Sequence, residues 1–328
     1  MARLISPALA ALTLALLVLS LGVGSTAVSP LAGLADWLAG RNTLEALVVG
    51  EIRLPRSLLA LMVGAMLGLS GAALQGLLRN PLAEPGLTGA SQGAALGAAA
   101  VFYFGLFPAL GLLAPALAGL LGASVALLLM LALAGSARGY MVLLAGLAIS
   151  TLAGALLAAV LNFAPNPFAM QELVFWLLGS VAERGLEHLA LLAPALLVGG
   201  ALVFGQRRLL SGLALGEQVA ESLGLDLRRG SRLLVLGAAI LVGAAVSVAG
   251  SIGFVGLIVP HLVRPLVRHR PDRLLLPSAL AGGCLVCLAD ILVRLLPPGR
   301  ELKLGVLTAL VGAPLFIWLV WKERKRWS

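Results

Sequence analysis

An all-α, polytopic membrane bundle is the fold class this sequence predicts, and three observations predict it. Of the 328 residues 60% are hydrophobic and only 11% are charged, with a mean hydropathy of +1.06; soluble domains run nearer about 45–50% apolar and about 25% charged. The apolar residues come in continuous runs close to the roughly 20 residues a helix needs to cross a hydrocarbon core about 30 Å thick. Those runs are rich in Leu, Ala and Gly and lack the alternation over about 10 residues of a barrel strand. Helices and closed barrels are the only structures that satisfy every backbone polar group in lipid, so helices remain.

Ten crossings follow along the chain. The first runs about Pro7–Val28; its flanks (Arg3 before, Ser25-Thr26-Ala27 after) imitate a signal peptide, but the chain keeps crossing afterwards and an uncleaved first helix is the simpler account. The second spans Arg56–Leu78 and the third about Gly89–Gly105. After a Phe107-Pro108 break come the fourth, Pro108–Ala134, and the fifth, Gly139–Asn162. A polar stretch, Ala164–Glu187, carries a short apolar segment, Leu173–Leu178, that fits the outer surface. The sixth crossing is about His188–Phe204, and a charged loop, Gln206–Arg232, precedes the seventh, Leu233–Gly250. Ile252–Val267 is too short and too broken by Gly and Pro for a plain span, and reads as a re-entrant turn with a short eighth helix. The ninth covers Leu274–Leu296 and the tenth Leu304–Trp321. Residues 1–328 thus form one transmembrane domain.

The net charge of +9 does not point to nucleic acid. Such partners need a solvated basic face with aromatics to stack on, whereas here the arginines cluster in short loops, where positive charge fixes orientation. With both termini cytoplasmic, Arg41, Arg53, Arg56, Arg184, Arg294, Arg300 and Lys303 are the cations outside or near outer helix ends, and the other 16 of the 23 Lys and Arg lie inside.

The enzyme classes find no constellation. No G-x-x-x-x-G-K-[ST] phosphate loop exists, since Lys303, Lys322 and Lys325 do not follow a glycine. His188, His261 and His269 do not cluster with carboxylates at metal-ligand spacing. Cys284 and Cys287 stand one turn apart in an apolar run with no His beside them; small residues packing between helices is the simpler reading of that CxxC. No cofactor is expected on this chain.

Gly64, Gly68 and Gly71 recur at the spacing that lets helix backbones approach closely in lipid. Arg56-Ser57-Leu58-Leu59 with its Gly-Ala-rich helix and Arg79-Asn80-Pro81 echoes Ser231-Arg232-Leu233-Leu234 with its own and Val259-Pro260-His261. That echo is either an internal repeat of the kind transporters use or a product of low-complexity text. Asp290 and Arg294, partners at i, i+4 near the outer end of the ninth helix, are either a local ion pair or a functional site. Within the cytoplasmic loop, Leu213–Gly224 mixes Leu and Val with Glu at helical spacing. This short amphipathic helix is either surface or a handle for a partner.

Several motifs at matching separations resemble the permease family of binding-protein-dependent ABC importers for ferric siderophores, haem and vitamin B12. They are Arg53-Leu54-Pro55-Arg56, Gly71-Ala72-Ala73-Leu74-Gln75, Arg79-Asn80-Pro81-Leu82-Ala83-Glu84-Pro85-Gly86, the Leu-Gly-Glu loop within Leu213–Gly224, Gly250–His261 and Gly312-Ala313-Pro314, over about Glu51–Trp321. The resemblance implies a homodimer of ten-helix subunits in the bacterial inner membrane. It implies two further partners: a cytoplasmic ABC ATPase dimer that holds ATP and magnesium, and a periplasmic or lipid-anchored binding protein. In that scheme Leu215, Gly216, Glu217, Val219 and Glu221 couple to the ATPase, with Glu217 as the polar contact. Arg53, Arg56 and Arg294 match positions that meet acidic residues of the binding protein, with Asp290 as a resting tether for Arg294. Asn80, Pro81 and Leu82 match the cytoplasmic gate. Gly139 and Tyr140 lie at the same level, where this chain departs from the family's small polar residues. A ferric siderophore is the first cargo expected, then cobalamin, then haem; Asn80–Gly86 resembles the cobalamin permease, but iron and haem permeases carry near relatives of it. The rival class is an ion-coupled secondary transporter, which generally carries several midplane carboxylates, where this chain has Asp290 almost alone.

Overall fold

The computed structural model describes residues 5–111, 113–135, 139–163, 167–296 and 302–327, and among them every regular element is helical. In chain order they are α1 (Ile5–Gly22), α2 (Pro30–Leu38), α3 (Leu44–Leu78), α4 (Ala90–Phe104), α5 (Leu113–Ala134), α6 (Gly139–Asn162), α7 (Pro167–Leu177), α8 (Leu186–Gly205), α9 (Arg207–Leu213), α10 (Glu217–Ser222), α11 (Leu227–Ala249), α12 (Val255–Val263), α13 (Pro271–Arg294) and α14 (Leu304–Trp327). Seven of these (α1, α3, α5, α6, α8, α11 and α13) hold a stretch long and apolar enough to cross a membrane, and α4 and Leu304–Leu319 are shorter apolar helices. Large apolar side chains such as Leu14, Leu121 and Leu128 stand more than 60% exposed on the outside of the bundle, which is the surface lipid requires.

Burial sorts the bundle into a centre and a rim. In α3 and α11 78% of the spanning window is buried, against 11% in α1. The centre is glycine-built. A Cβ at Gly64 would collide with the carbonyl oxygen of Gly282 on α13, one at Gly68 with that of Ser278, and one at Gly71 with that of Gly256 on α12. The seam expected from these three glycines is therefore where α3 lies flush against α13 and α12. Cys284 and Cys287 are free and buried where α13 meets α1. The Cys284 Sγ lies 3.2 Å from the Thr13 hydroxyl, as small packing residues would.

Several boundaries depart from the sequence reading. The first crossing stops at Gly22 rather than Val28, and α2 follows, entered at Ser29, whose side chain accepts from the Ala32 N–H, with Pro30 in the first turn; this is a standard start signal. The second helix begins at Leu44 rather than Arg56. Thr43 caps it through the Ala46 N–H at 3.1 Å, and a π-helical stretch, Leu47–Arg53, leads into Pro55. Pro55 has no N–H to give and its ring crowds the carbonyl four residues back, so the widened turn lets the helix run through. Leu173–Leu177 belongs to a longer helix, α7, and Leu178 follows its last turn. The seventh crossing starts at Leu227 rather than Leu233, because Asp226 caps it by accepting from the Arg229 N–H at 2.9 Å. Ile252–Val267 holds the expected turn and short helix: Phe254, in the left-handed region at φ 67°, turns the chain into the nine-residue α12.

Candidate functional site

Polar chemistry concentrates at the two ends of the α-helical part of α3, Leu54–Leu78. The 25 residues Leu54–Leu78 separate them, roughly 36 Å at 1.5 Å per residue.

At the end near Arg56, one carboxylate holds two guanidiniums. Asp290 on α13 is 1% exposed and pairs with Arg56 at 2.8 Å and Arg294 at 3.0 Å; the Arg56 Nε also donates to both its oxygens. Arg294 donates further to the carbonyls of Ser20 and Val23 at 2.9 and 3.0 Å and to the Ser20 hydroxyl. Arg53 donates to Leu21 O at 2.8 Å and Thr26 O at 2.5 Å. The last turn of α1 is thus capped by two arginines from other helices, a favourable placement of cations at a helix C-terminus. The resemblance gives Arg53, Arg56 and Arg294 to contacts with acidic residues of a binding protein. Arg53 instead is buried, 4% exposed, and its side chain serves α1. Arg56 and Arg294 are turned onto Asp290, with Arg56 keeping 21% of its side chain in reach of solvent. Sequence reading paired Asp290 with Arg294 and missed Arg56, its partner 234 residues away.

At the other end, α3 closes on Arg79 in the left-handed conformation (φ 51°). Asn80 then makes a tight turn, its Oδ1 accepting from the Leu82 N–H at 2.9 Å and its carbonyl from Ala83 N–H at 3.2 Å. This turn meets the loop region. The Arg79 guanidinium lies 3.6 Å from the Glu217 carboxylate, each about half exposed, a pair worth about 0.2–1 kcal/mol. Leu215, Glu217, Val219 and Glu221 are all exposed. Leu215, Val219 and Leu223, spaced by four, stand 67%, 41% and 62% exposed, while Ala220 is fully buried on α10's inner face. The short helix and its flanks thus expose apolar side chains beside two carboxylates, Glu217 and Glu221. Gly216 enters α10 at φ 109°, a conformation for which glycine is suited. Gly139 and Tyr140 open α6, and their side chains lie outside the described residues.

Just inside this end, Gln75 is 1% exposed. Its amide N–H donates to Gly256 O at 3.4 Å and Leu257 O at 3.0 Å, and its carbonyl accepts from Arg264 at 2.6 Å. One side chain therefore ties both ends of α12 to α3. Gln75 stood among the quoted motifs without a role; a lone amide in a Gly-Ala helix was the signal.

A cavity of about 1140 Å³ opens between the ends of α4 and α5, α7 and the loop before α8, lined by Phe102, Phe175, Trp176, Glu183, Arg184 and Lys303 among others. Lys303 sits over the Phe175 ring at 5.6 Å. Arg184 donates to Val248 O at 3.0 Å; burial lowers its pKa from the usual value and the nearby Glu183 opposes this. Among the described residues no three His, Cys, Asp or Glu are gathered as a metal site.

The FecCD transport family matches residues 12–322 of this chain. The vitamin B12 import system permease protein BtuC of Citrobacter koseri is 40% identical over 324 residues, covering 97% of this chain and 94% of that one. The hemin transport system permease protein HmuU of Yersinia pestis is 37% identical over 321 residues, covering 97% and 96%. A solved inward-facing structure of a metal-chelate type ABC transporter superposes with a TM-score of 0.81 at 32% identity, covering 97% of this chain and 99% of the other.

Proposed function

The chain belongs to the FecCD transport family, and from that premise we propose that it is the membrane-spanning subunit of an ABC importer that moves a metal chelate inward. ATP, with its magnesium, is hydrolysed by a separate cytoplasmic ATPase dimer. The subunit crosses the membrane ten times, the seven long helices being joined by α4, α12 and the first part of α14, with both termini cytoplasmic. It works as a homodimer with a periplasmic or lipid-anchored binding protein above it.

The observation that carries this reading is the exposed Leu215–Val219–Leu223 row with Glu217 and Glu221, held beside the Asn80–Leu82 turn through Arg79. A helix with that face, attached to the end of a central span, can turn closure of an ATPase beneath it into movement at the mouth of the path. Arg56 is the better placed docking residue at the far end, since its side chain keeps solvent access; Arg294 acts with it through Asp290, and Arg53 holds α1. Docking through such guanidiniums would orient the encounter more than add affinity.

For the cargo, the vitamin B12 and hemin permeases among the relatives favour a metallated tetrapyrrole, cobalamin before haem, and move the ferric siderophore to third place. The test is purification of the chain with candidate ATPases, reconstitution in lipid, and ATP hydrolysis with binding protein and each cargo added. A complex stimulated by one loaded binding protein supports the importer and names its cargo. A chain that purifies alone and moves substrate on an ion gradient overturns it in favour of a secondary carrier.

A further inference from the structure

Between the starts of α1 and α13 and the junction of α8 with α9 lies a cavity of about 840 Å³, within the range of small-molecule sites, roughly 300–1,000 Å³. We propose that it is a binding site for the headgroup of an anionic phospholipid.

The charge is the first argument. Arg207, Arg208 and Arg273 line the cavity. The one acid among its lining residues, Asp272, is already held by Arg270 through two hydrogen bonds at 3.2 and 3.0 Å. Arg207 is fixed at the rim, its Nε donating to Phe204 O at 3.2 Å and its guanidinium 5.9 Å from the Phe204 ring, which leaves its two terminal nitrogens for a ligand. Arg208 and Arg273 are exposed, and neither side chain has an ion pair or hydrogen bond within the described residues. The hydroxyls of Ser6 and Ser211 complete the polar lining. A planar guanidinium is the side chain suited to phosphate oxygens.

The second argument is where the cavity opens. α1 is the least buried span, and it forms one wall. The other lining residues include Leu276, 48% exposed on the outside of α13, so the basic rim continues into apolar surface. A soluble phosphate compound needs no such slope, whereas a phospholipid has its phosphate and its acyl chains joined in that order. The face is also the one that bears α10, and it is cytoplasmic on the orientation proposed above; basic pockets between helices on that side are where anionic headgroups bind. The inference rests on that orientation only for the leaflet involved.

The test is native mass spectrometry of the full chain, purified in detergent and stripped of lipid, titrated with phosphatidylglycerol or with phosphatidylcholine of the same acyl chains. Phosphatidylglycerol is expected to stay bound at concentrations at least about tenfold below phosphatidylcholine. An arginine beside an anionic lipid is worth about fivefold in affinity, so Arg208→Ala with Arg273→Ala lowers phosphatidylglycerol retention by about 25-fold. Arg208→Lys with Arg273→Lys keeps most of it, and Arg41→Ala, at the far end, changes nothing. Equal retention by the double alanine variant, at an unchanged unfolding midpoint, overturns the site. Displacement of the lipid by millimolar inorganic phosphate overturns the lipid and leaves a soluble phosphate site. Unchanged lipid retention with loss of ATPase assembly makes the patch a partner contact instead. Labelling of Ser211→Cys from either side of the membrane reads the orientation separately.

Discussion

Removing the Asp290 carboxylate tests the polar end of the bundle. In the folded protein it neutralises Arg56 at 2.8 Å and Arg294 at 3.0 Å. After Asp290→Ala, Arg56 can turn toward solvent, but the Arg294 side chain is 7% exposed and cannot. Leaving one partner of a buried ion pair uncompensated costs about 3–5 kcal/mol. Arg294 keeps the Ser20 and Val23 carbonyls, which places the expected loss near the lower bound, about 3 kcal/mol. At roughly 2 °C per kcal/mol for a large chain, the midpoint of thermal unfolding falls by about 6 °C. The protein carries its own reporter: Cys284 and Cys287 are free and 7% and 0% exposed, so a thiol-reactive dye lights up only on unfolding. Adding Arg294→Met removes the orphaned charge and should restore part of the loss, although the α1 carbonyls then lack their donor. The two single variants and the double variant give the coupling directly. A midpoint within about 1 °C of wild type for Asp290→Ala, or additive effects across the cycle, refutes the argument that this carboxylate is the counter-ion of both arginines.

Glu217→Arg places two like charges beside one another at Arg79 and reverses an exposed acid to which the proposed function gives the ATPase contact; on that proposal uptake should be lost while the chain stays folded and monodisperse, and intact uptake sinks the coupling role. Gly282→Leu drives a side chain into the Gly64 carbonyl and should abolish monodisperse protein on size exclusion, whereas Gly205→Leu, with nothing within 4 Å of its Cβ, should not. Gln75→Leu strips α12 of its amide tie and leaves Arg264 without that acceptor. At about 1–3 kcal/mol for buried groups left unsatisfied, the dye midpoint should fall by about 2–6 °C, and no shift means that α12 is held by packing alone.

What the sequence made legible was set by how local each signal is. Hydropathy marks a span because lipid acts on about 20 consecutive residues at once, so α5, α6, α8 and α13 fell close to their expected places. The glycine seam was legible for the same reason, since Gly64, Gly68 and Gly71 repeat within one helix. The start of α3 was hidden because Glu51, Arg53 and Arg56 interrupt the apolar run, so the span reads as starting only at Arg56. Their cost is removed by partners distant in sequence: Trp37 Nε1 donates to Glu51 at 2.7 Å, Arg53 caps α1, and Arg56 finds Asp290. No window along the chain sees such partners. The onset of α11 was missed for a simpler reason, that Arg228, Arg229 and Arg232 outweighed the Asp226 cap.

The distribution of these contacts bears on how such a bundle could move. α3 and α13 are joined along a glycine seam, pinned at one end by a buried carboxylate between two arginines and tied near the other to α12 by Gln75; several kcal/mol would have to be given up to shift them apart. The Arg79–Glu217 contact is the opposite, half exposed and long, worth about 0.2–1 kcal/mol. A device that transmits force needs a stiff member and a joint that can be made and broken within a cycle. On the coupling reading, α3 with α12 and α13 is the stiff member and the α10 contact is the joint. Strengthening that joint, not weakening it, is then the change that should stall transport with the fold intact.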